Sequence, residues 1–210
     1  MSGLDEQEQV LVVPKHYVLG RHAEGEKLVW RDGDSHSLLK DGLSGKHLSF
    51  MGRARAETDE EFLQLIPYVC LKKGDTLFVY RRSTKGGENR LHGMLSVGVG
   101  GHINPSDGPA GEWSTYVNGM SRELAEEISI VGDYEQSVIG AVYNGADSVG
   151  RVHFGIVHLL DLYPDTEVRP LDPALADAGF RPITELCQRL GEAEVWSALV
   201  LEHLIYADHS

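Results

Sequence analysis

Three carboxylates crowd one short stretch of this chain, Arg122-Glu123-Leu124-Ala125-Glu126-Glu127. At helical spacing, Glu126 and Glu127 fall about −60° and +40° around the axis from Glu123, so all three share an arc of about 100° within one or two turns. Like charges this close repel and raise one another's pKa values, and a divalent cation relieves the repulsion. Hard oxygen donors with no Cys or His at metal-ligand spacing favour Mg²⁺ or Mn²⁺ over Zn²⁺. Arg122 stands one turn before Glu126 and can pair with it. On the same wheel Val117, Met120, Leu124 and Ile128 lie at roughly +60° to +140°, an apolar arc beside the acids. The carboxylates then sit at the edge of a cleft. Without context, such a run reads first as a solvated charged face.

The surrounding pattern supplies elements to position them. Tyr68–Leu71 and Thr76–Tyr80 read as strands joined at Lys73-Gly74-Asp75. Leu95–Val99 reads as a strand entering Gly100-Gly101, Tyr116–Ile130 as a helix, and Ser137–Tyr143 and Val152–Leu162 as strands. Asp172-Pro173 reads as the start of a short helix closed by Gly179, with helices over Ile183–Leu190 and Glu192–Tyr206 to follow. Upstream, Glu57–Ile66 reads as a helix capped by Thr58 and Glu61 and stopped by Pro67. This order predicts an α/β domain over residues 67–210, with residues 1–66 an extension packed on its core. A cap over the site and a homodimer contact are both open roles for that extension.

The R-E-L-A-E-E spacing behind a strand and a Gly-Gly turn resembles the Nudix box, G-x5-E-x7-R-E-U-x-E-E-x-G-U with U aliphatic. Arg122–Glu127 match its core, Ile130 its last aliphatic position and Gly101 its opening glycine. Two departures stand out. Ser129 replaces the usual glycine, and the stretch from Gly101 to Arg122 is seven residues longer than the pattern. Gly111-Glu112 looks like the box's Gly-Glu pair, but out of register. The VGVGGHI start, the VHFG strand and the long N-terminal segment further resemble bacterial proteins of the MutT type.

The resemblance implies an α/β/α sandwich with a mixed sheet. It also implies metal-dependent cleavage of a diphosphate bond in a nucleoside diphosphate-linked or related small molecule. Glu123, Glu126 and Glu127 would hold Mg²⁺ or Mn²⁺ or activate water, with the Gly101 carbonyl and either Glu112 or Asp147 as further ligands. Arg122 joins them as a catalytic candidate. Two other readings stay open: a catalytically silent module that senses a nucleotide, and a diphosphate isomerase, which needs a Cys and a Glu in the cleft. Cys70 sits on an early strand, where the sequence does not place it beside the acids.

Other candidates are weighed residue by residue. Arg81, Arg82, Lys85 and Arg90 cluster before the glycine strand and suit phosphate binding or a solvated loop. His102 follows the turn and suits substrate contact or a structural hydrogen bond. Asp147 suits a turn, Glu135 is a further outside acid, and His153 lies opposite Val152 and Phe154 on its strand. Trp196 belongs to an apolar helical stripe.

Composition sets the outer limits. The chain has 210 residues, 41% of them apolar, which is enough for a packed core. A net charge of −13 argues against a duplex nucleic-acid partner, which needs a basic footprint. Apolar runs such as Val10–Val13 are too short to span a bilayer, and MSGLDEQEQ lacks the features of a signal peptide. Two cysteines make no disulfide framework. These features predict a cytoplasmic location without a membrane partner.

Overall fold

The computed structural model describes residues 8–19, 28–30, 47–83 and 93–207. The chain forms two compact units, and strands β4 (Phe62–Lys73), β9 (Tyr134–Tyr143) and β10 (His153–Leu162) and helix α3 (Trp113–Glu127) each pass from one into the other. Unit 1 holds the described residues up to Pro67, Gly100–Glu123 and Val138–Ile156. Unit 2 holds Tyr68–Val99, Leu124–Ser137 and the described residues from Val157 onward.

In unit 1, the apolar run Val10–Val13 is buried on both faces of strand β1 (Gln9–Pro14). A four-residue apolar run without alternation suits a strand covered on both sides. β1 pairs antiparallel with β3 (Ser49–Gly52) through Val10↔Met51, and with β4 (Phe62–Lys73) through Val12↔Gln64. A short helix α1 (Lys15–Leu19) follows β1, and helix α2 (Arg53–Ala56) follows β3. β2 (Leu28–Trp30) pairs antiparallel with β9 (Tyr134–Tyr143). In the hydrogen-bonded order, β10 (His153–Leu162) lies between β4 and β9. Leu11, Leu63, Ile103, Tyr116, Phe154 and Ile156 form the centre of this unit's core.

In unit 2, β5 (Thr76–Arg82) lies between β4 and β12 (Leu175–Pro182). The β4–β5 turn falls at Gly74, whose φ of +58° is cheap only for glycine. Two short strands, β6 (Leu95–Ser96) and β7 (Gly98–Val99), pair with β5 and β4 respectively. β8 (Ile128–Val131) pairs with β11 (Glu167–Pro170). Helices α4 (Ile183–Cys187) and α5 (Val195–Ala207) close the chain. Among the described residues, no helix is long and apolar enough to cross a membrane.

Three sequence expectations are corrected. Glu57–Ile66 is no helix: Glu57 caps α2, a turn follows, and β4 begins at Phe62. Leu63 to Leu71 are buried without interruption, the pattern of a strand covered on both faces. Pro67 does not stop β4: it lies inside the strand, between the rungs made to β1 (62–64) and to β7 (69–70). The helix expected to reach Ile130 ends at Glu127, and the β-branched Ile128–Val131 turns to pair with β11. The Asp172–Gly179 helix is absent. The Asp172 carboxylate accepts from the Ala174 N–H in a turn, and β12 follows, with Asp177 at φ +51° in an irregularity of its register.

The Gly100 position shows why the glycine strand must be glycine. A Cβ there would run into the Pro67 carbonyl, a backbone group that cannot swing aside. Gly100→Ala should therefore destabilise the fold by about 3 kcal/mol, the upper end for overpacking, measurable by urea denaturation.

Candidate active site

Helix α3 (Trp113–Glu127) carries the acids, and the lengthened stretch before it is folded against the helix's first turns. Asn104 caps a 3₁₀ turn over Pro105–Asp107, its side chain accepting from the Ser106 N–H at 2.9 Å. Asp107 answers by accepting from the Asn104 N–H at 2.9 Å. The Asn118 carboxamide then donates to the Asp107 carbonyl at 2.9 Å, and Thr115 Oγ1 to the Pro109 carbonyl at 2.8 Å. The buried stripe of the helix is Thr115, Tyr116, Gly119 and Met120; of the expected arc, Met120 and Ile128 are buried, Val117 packs half-buried against the core and Leu124 is half-buried. Glu123 continues that stripe one turn on, with 17% of its side chain exposed.

Arg122 organises the site. Its Nε and Nη2 donate to the two Asp107 oxygens at 2.8 and 3.0 Å, a fork that matches carboxylate geometry. Nη2 also donates to the His102 carbonyl at 2.9 Å, and Nη1 to Glu123 Oε1 at 2.7 Å. Asp107 is only 4% exposed. Burial alone would raise its carboxyl, but the Arg122 guanidinium and the Asn104 N–H outweigh that and hold it below the usual range. Asp107 raises the Arg122 pKa most, with Glu123 adding to it.

Two glycines let the groups meet. A Cβ at Gly101 would strike the Glu123 carboxylate. A Cβ at Gly119 would lie 2.8 Å from an Asp107 oxygen and 2.9 Å from Ile103. So Glu123 rests directly on the Gly101 backbone, the box's opening glycine. Glu126 is exposed and Glu127 half-buried on the same helix, three and four residues on. The Glu127 carbonyl ends the helix by accepting from the Leu171 and Asp172 N–H groups at 2.8 and 3.2 Å. In unit 2 burial pushes the Tyr80 phenol up to about 12, with Arg82 opposing and the Glu127 charge adding to it.

The other candidates are placed as follows. Glu112 is exposed just ahead of the first turn of α3, accepting from Ser114 Oγ at 3.1 Å. That is eleven residues, about 16 Å along a helix, from Glu123. Asp147 holds its own loop: it accepts from the Val149 and Gly150 N–H groups at 2.9 and 2.7 Å, and from Asn144 at 2.7 Å. Arg81 donates to Glu192 at 2.6 Å and to the Gly93 carbonyl at 2.5 Å. Arg82 lies over the Tyr80 ring at 5.8 Å, and its buried Nε has no hydrogen-bond partner among the described residues. Arg90 and Lys85 lie outside the described residues. His102 is half-buried. Burial, then the Arg53 charge and His153, push its imidazole down to about 3. Glu135 is exposed and accepts from Tyr163. Cys70 is fully buried, and burial with the nearby Glu194 raises its thiol far from a reactive range. Trp196 packs edge-on to Tyr68 at 5.6 Å.

Asp107 and its fork were not foreseen. The signal for it is the capping pair Asn104…Asp107 around Pro105, which marks an ordered turn inside the added residues.

The depressed Asp107 carboxyl makes a testable statement about acid. A carboxyl whose folded pKa lies below the unfolded value of about 3.9 contributes stability fully above that value and loses it as pH falls through the folded pKa. Wild-type Tm should therefore fall below about pH 4 more steeply than that of Asp107→Asn, which has no such group to protonate. Calorimetry between pH 6 and 3 reads the difference.

No family model matches the chain. It is similar to Protein YmaB of Bacillus subtilis, 32% identical over 201 residues that cover 94% of this chain and 97% of that protein. Among solved structures, Tm1382, a candidate Nudix hydrolase, superimposes with a TM-score of 0.78 at 26% identity, over 95% of this chain and 100% of the other. DR0079 of Deinococcus radiodurans shares the fold, with a TM-score of 0.52 at 18% identity, over 77% of this chain and 96% of its own. Likeness over nearly the whole length, together with the R-E-L-A-E-E core on the helix behind Gly101, leads to one conclusion: the chain belongs to the Nudix superfamily.

Proposed function

We propose that this protein is a divalent-metal-dependent hydrolase that cleaves a phosphoanhydride bond in a nucleoside diphosphate-linked or related small molecule. The observation that carries this reading is the Glu123 carboxylate, held by Arg122 and seated on the Gly101 backbone where no side chain fits. That arrangement sets a carboxylate against the Gly101 backbone, and a carboxylate joined by a peptide carbonyl is the donor chemistry of Mg²⁺ or Mn²⁺. Glu126 and Glu127, one turn further along the helix, would complete an all-oxygen set. A cation held there neutralises diphosphate oxygens and lowers the pKa of a bound water.

The chain's own residues then divide the work. Glu126 and Glu127 hold the cation. Glu123 is a further ligand or the base that orients water. Arg122 is a positioning residue that fixes Glu123 through its fork with Asp107. Arg82 has a buried Nε donor with no partner among the described residues, which suits a substrate phosphate better than Arg81, whose guanidinium is engaged by Glu192.

The test is product release across nucleoside triphosphates, nucleotide sugars, dinucleotides and non-nucleotide diphosphates, with Mg²⁺ or Mn²⁺ and again with EDTA. Turnover of one class that EDTA abolishes supports the reading. Tight nucleotide binding without turnover on any compound overturns it in favour of a sensor.

A further inference from the structure

A second cluster of ligating side chains lies in unit 1, built from residues that the box does not use. Glu57 closes α2, His102 follows Gly101, and His153 opens β10. One ligand-capable atom from each lies within 4.8 Å of the other two. The two imidazole centroids are 5.7 Å apart, with the rings tilted by 59°.

The hydrogen bonds leave ligating atoms available. His153 Nδ1 lies 2.7 Å from the Val149 carbonyl. A carbonyl only accepts, so Nδ1 carries the proton and Nε2 keeps its lone pair. A backbone carbonyl holding the far nitrogen is the usual way a protein fixes a metal-ligating histidine. The second observation is His102 Nε2, which is buried and has no hydrogen-bond partner among the described residues. A buried polar atom left open in this way calls for an occupant. Glu57 supplies the anion. Its carboxylate lies 3.6 Å from Arg53 Nε, and Arg53 is itself paired with Glu8 at 3.0 Å. The local positive charge is thus balanced by Glu8, and Glu57 is not its sole counterion.

We propose that Glu57, His102 and His153 form a second divalent-cation site, of the zinc type, distinct from the all-oxygen box. Two imidazoles and one carboxylate suit Zn²⁺ and disfavour Mg²⁺. Three protein ligands leave a fourth position for water. With metal–ligand bonds of about 2.0–2.1 Å, the three atoms need close by no more than about 1.5 Å on binding. The ligands come from positions 57, 102 and 153, so an ion there cross-links three distant segments. It also pins the loop whose His102 carbonyl receives Arg122. Folding and binding are then coupled. The claim does not depend on the proposed hydrolysis, because it is read without any substrate.

The test uses the full chain stripped of metal by a chelator. Zn²⁺ should bind and raise Tm, and Co²⁺ should give visible d–d bands of a nitrogen-containing, low-symmetry site. His102→Asn and His153→Asn should weaken Zn²⁺ binding at least a hundredfold, and the half-exposed Glu57→Gln at least tenfold. Glu126→Gln and Glu127→Gln should retain it. Absence of Zn²⁺ binding and of the Co²⁺ bands in the wild-type chain overturns the proposal. So does binding that survives in the histidine variants, or binding lost only in the box variants. The wild-type spectrum decides the matter even if a histidine variant fails to fold.

Discussion

Glu127→Gln is expected to lower kcat by about a thousandfold with little change in Tm, and Glu126→Gln to do nearly the same. The carboxamide keeps the shape but not the charge. It therefore removes an anionic ligand from a cation asked to supply several kcal/mol of transition-state stabilisation, and each 1.36 kcal/mol is a factor of ten in rate. Glu126 is exposed and Glu127 half-buried at the end of α3, so neither substitution opens a cavity. Without metal, removing one of three neighbouring like charges leaves stability unchanged or slightly raised. Steady-state turnover at saturating Mg²⁺, beside calorimetry of the same preparations, separates a lost ligand from a damaged fold. Equal losses of activity and Tm would count against the assignment.

Arg122→Ala is expected to do both kinds of damage. It leaves Asp107, 4% exposed, without its cation, and it releases Glu123 from Gly101's side. Breaking a fully buried pair costs about 3–5 kcal/mol, and because Arg122 is itself a quarter exposed we expect about 3 kcal/mol. Activity should fall at least tenfold through misplacement of Glu123. Arg122→Lys should not rescue it, since a lysine cannot make the fork to both Asp107 oxygens while also reaching Glu123 and the His102 carbonyl. The double variant Asp107→Asn with Arg122→Ala should be more stable than Arg122→Ala alone, because the stranded charge is gone. Chemical denaturation of the wild type, Asp107→Asn, Arg122→Ala and the double variant closes the cycle. Additive effects would show that the fork carries no coupling.

The box helix was legible because its spacing repeats a pattern that chemistry constrains closely. The hairpin at Gly74 was legible because turn residues interrupt two β-branched runs. What could not be read was set by distant partners. Thr58, Glu61 and Pro67 form a sound local helix signal, yet β1 and β7 recruit that stretch into β4. Asp172-Pro173 opens a turn, not a helix, because β5 offers the next residues an edge to pair with. Asp107 was missed for a related reason. Its role appears only when an added turn brings it back across fifteen residues to Arg122. Glu57, His102 and His153 show the same limit, since no sequence spacing announces a cluster drawn from three separated segments.

The central claim is attack by water on a phosphoanhydride at the box acids. The most direct measurement is turnover of the preferred compound in ¹⁸O-labelled water with Mg²⁺, followed by mass analysis of both products. One label is expected in a phosphorus-containing product for each bond cleaved, accumulating about a thousandfold more slowly with Glu127→Gln. Product without label, a rearranged isomer of the substrate, or undiminished turnover by Glu127→Gln would contradict it.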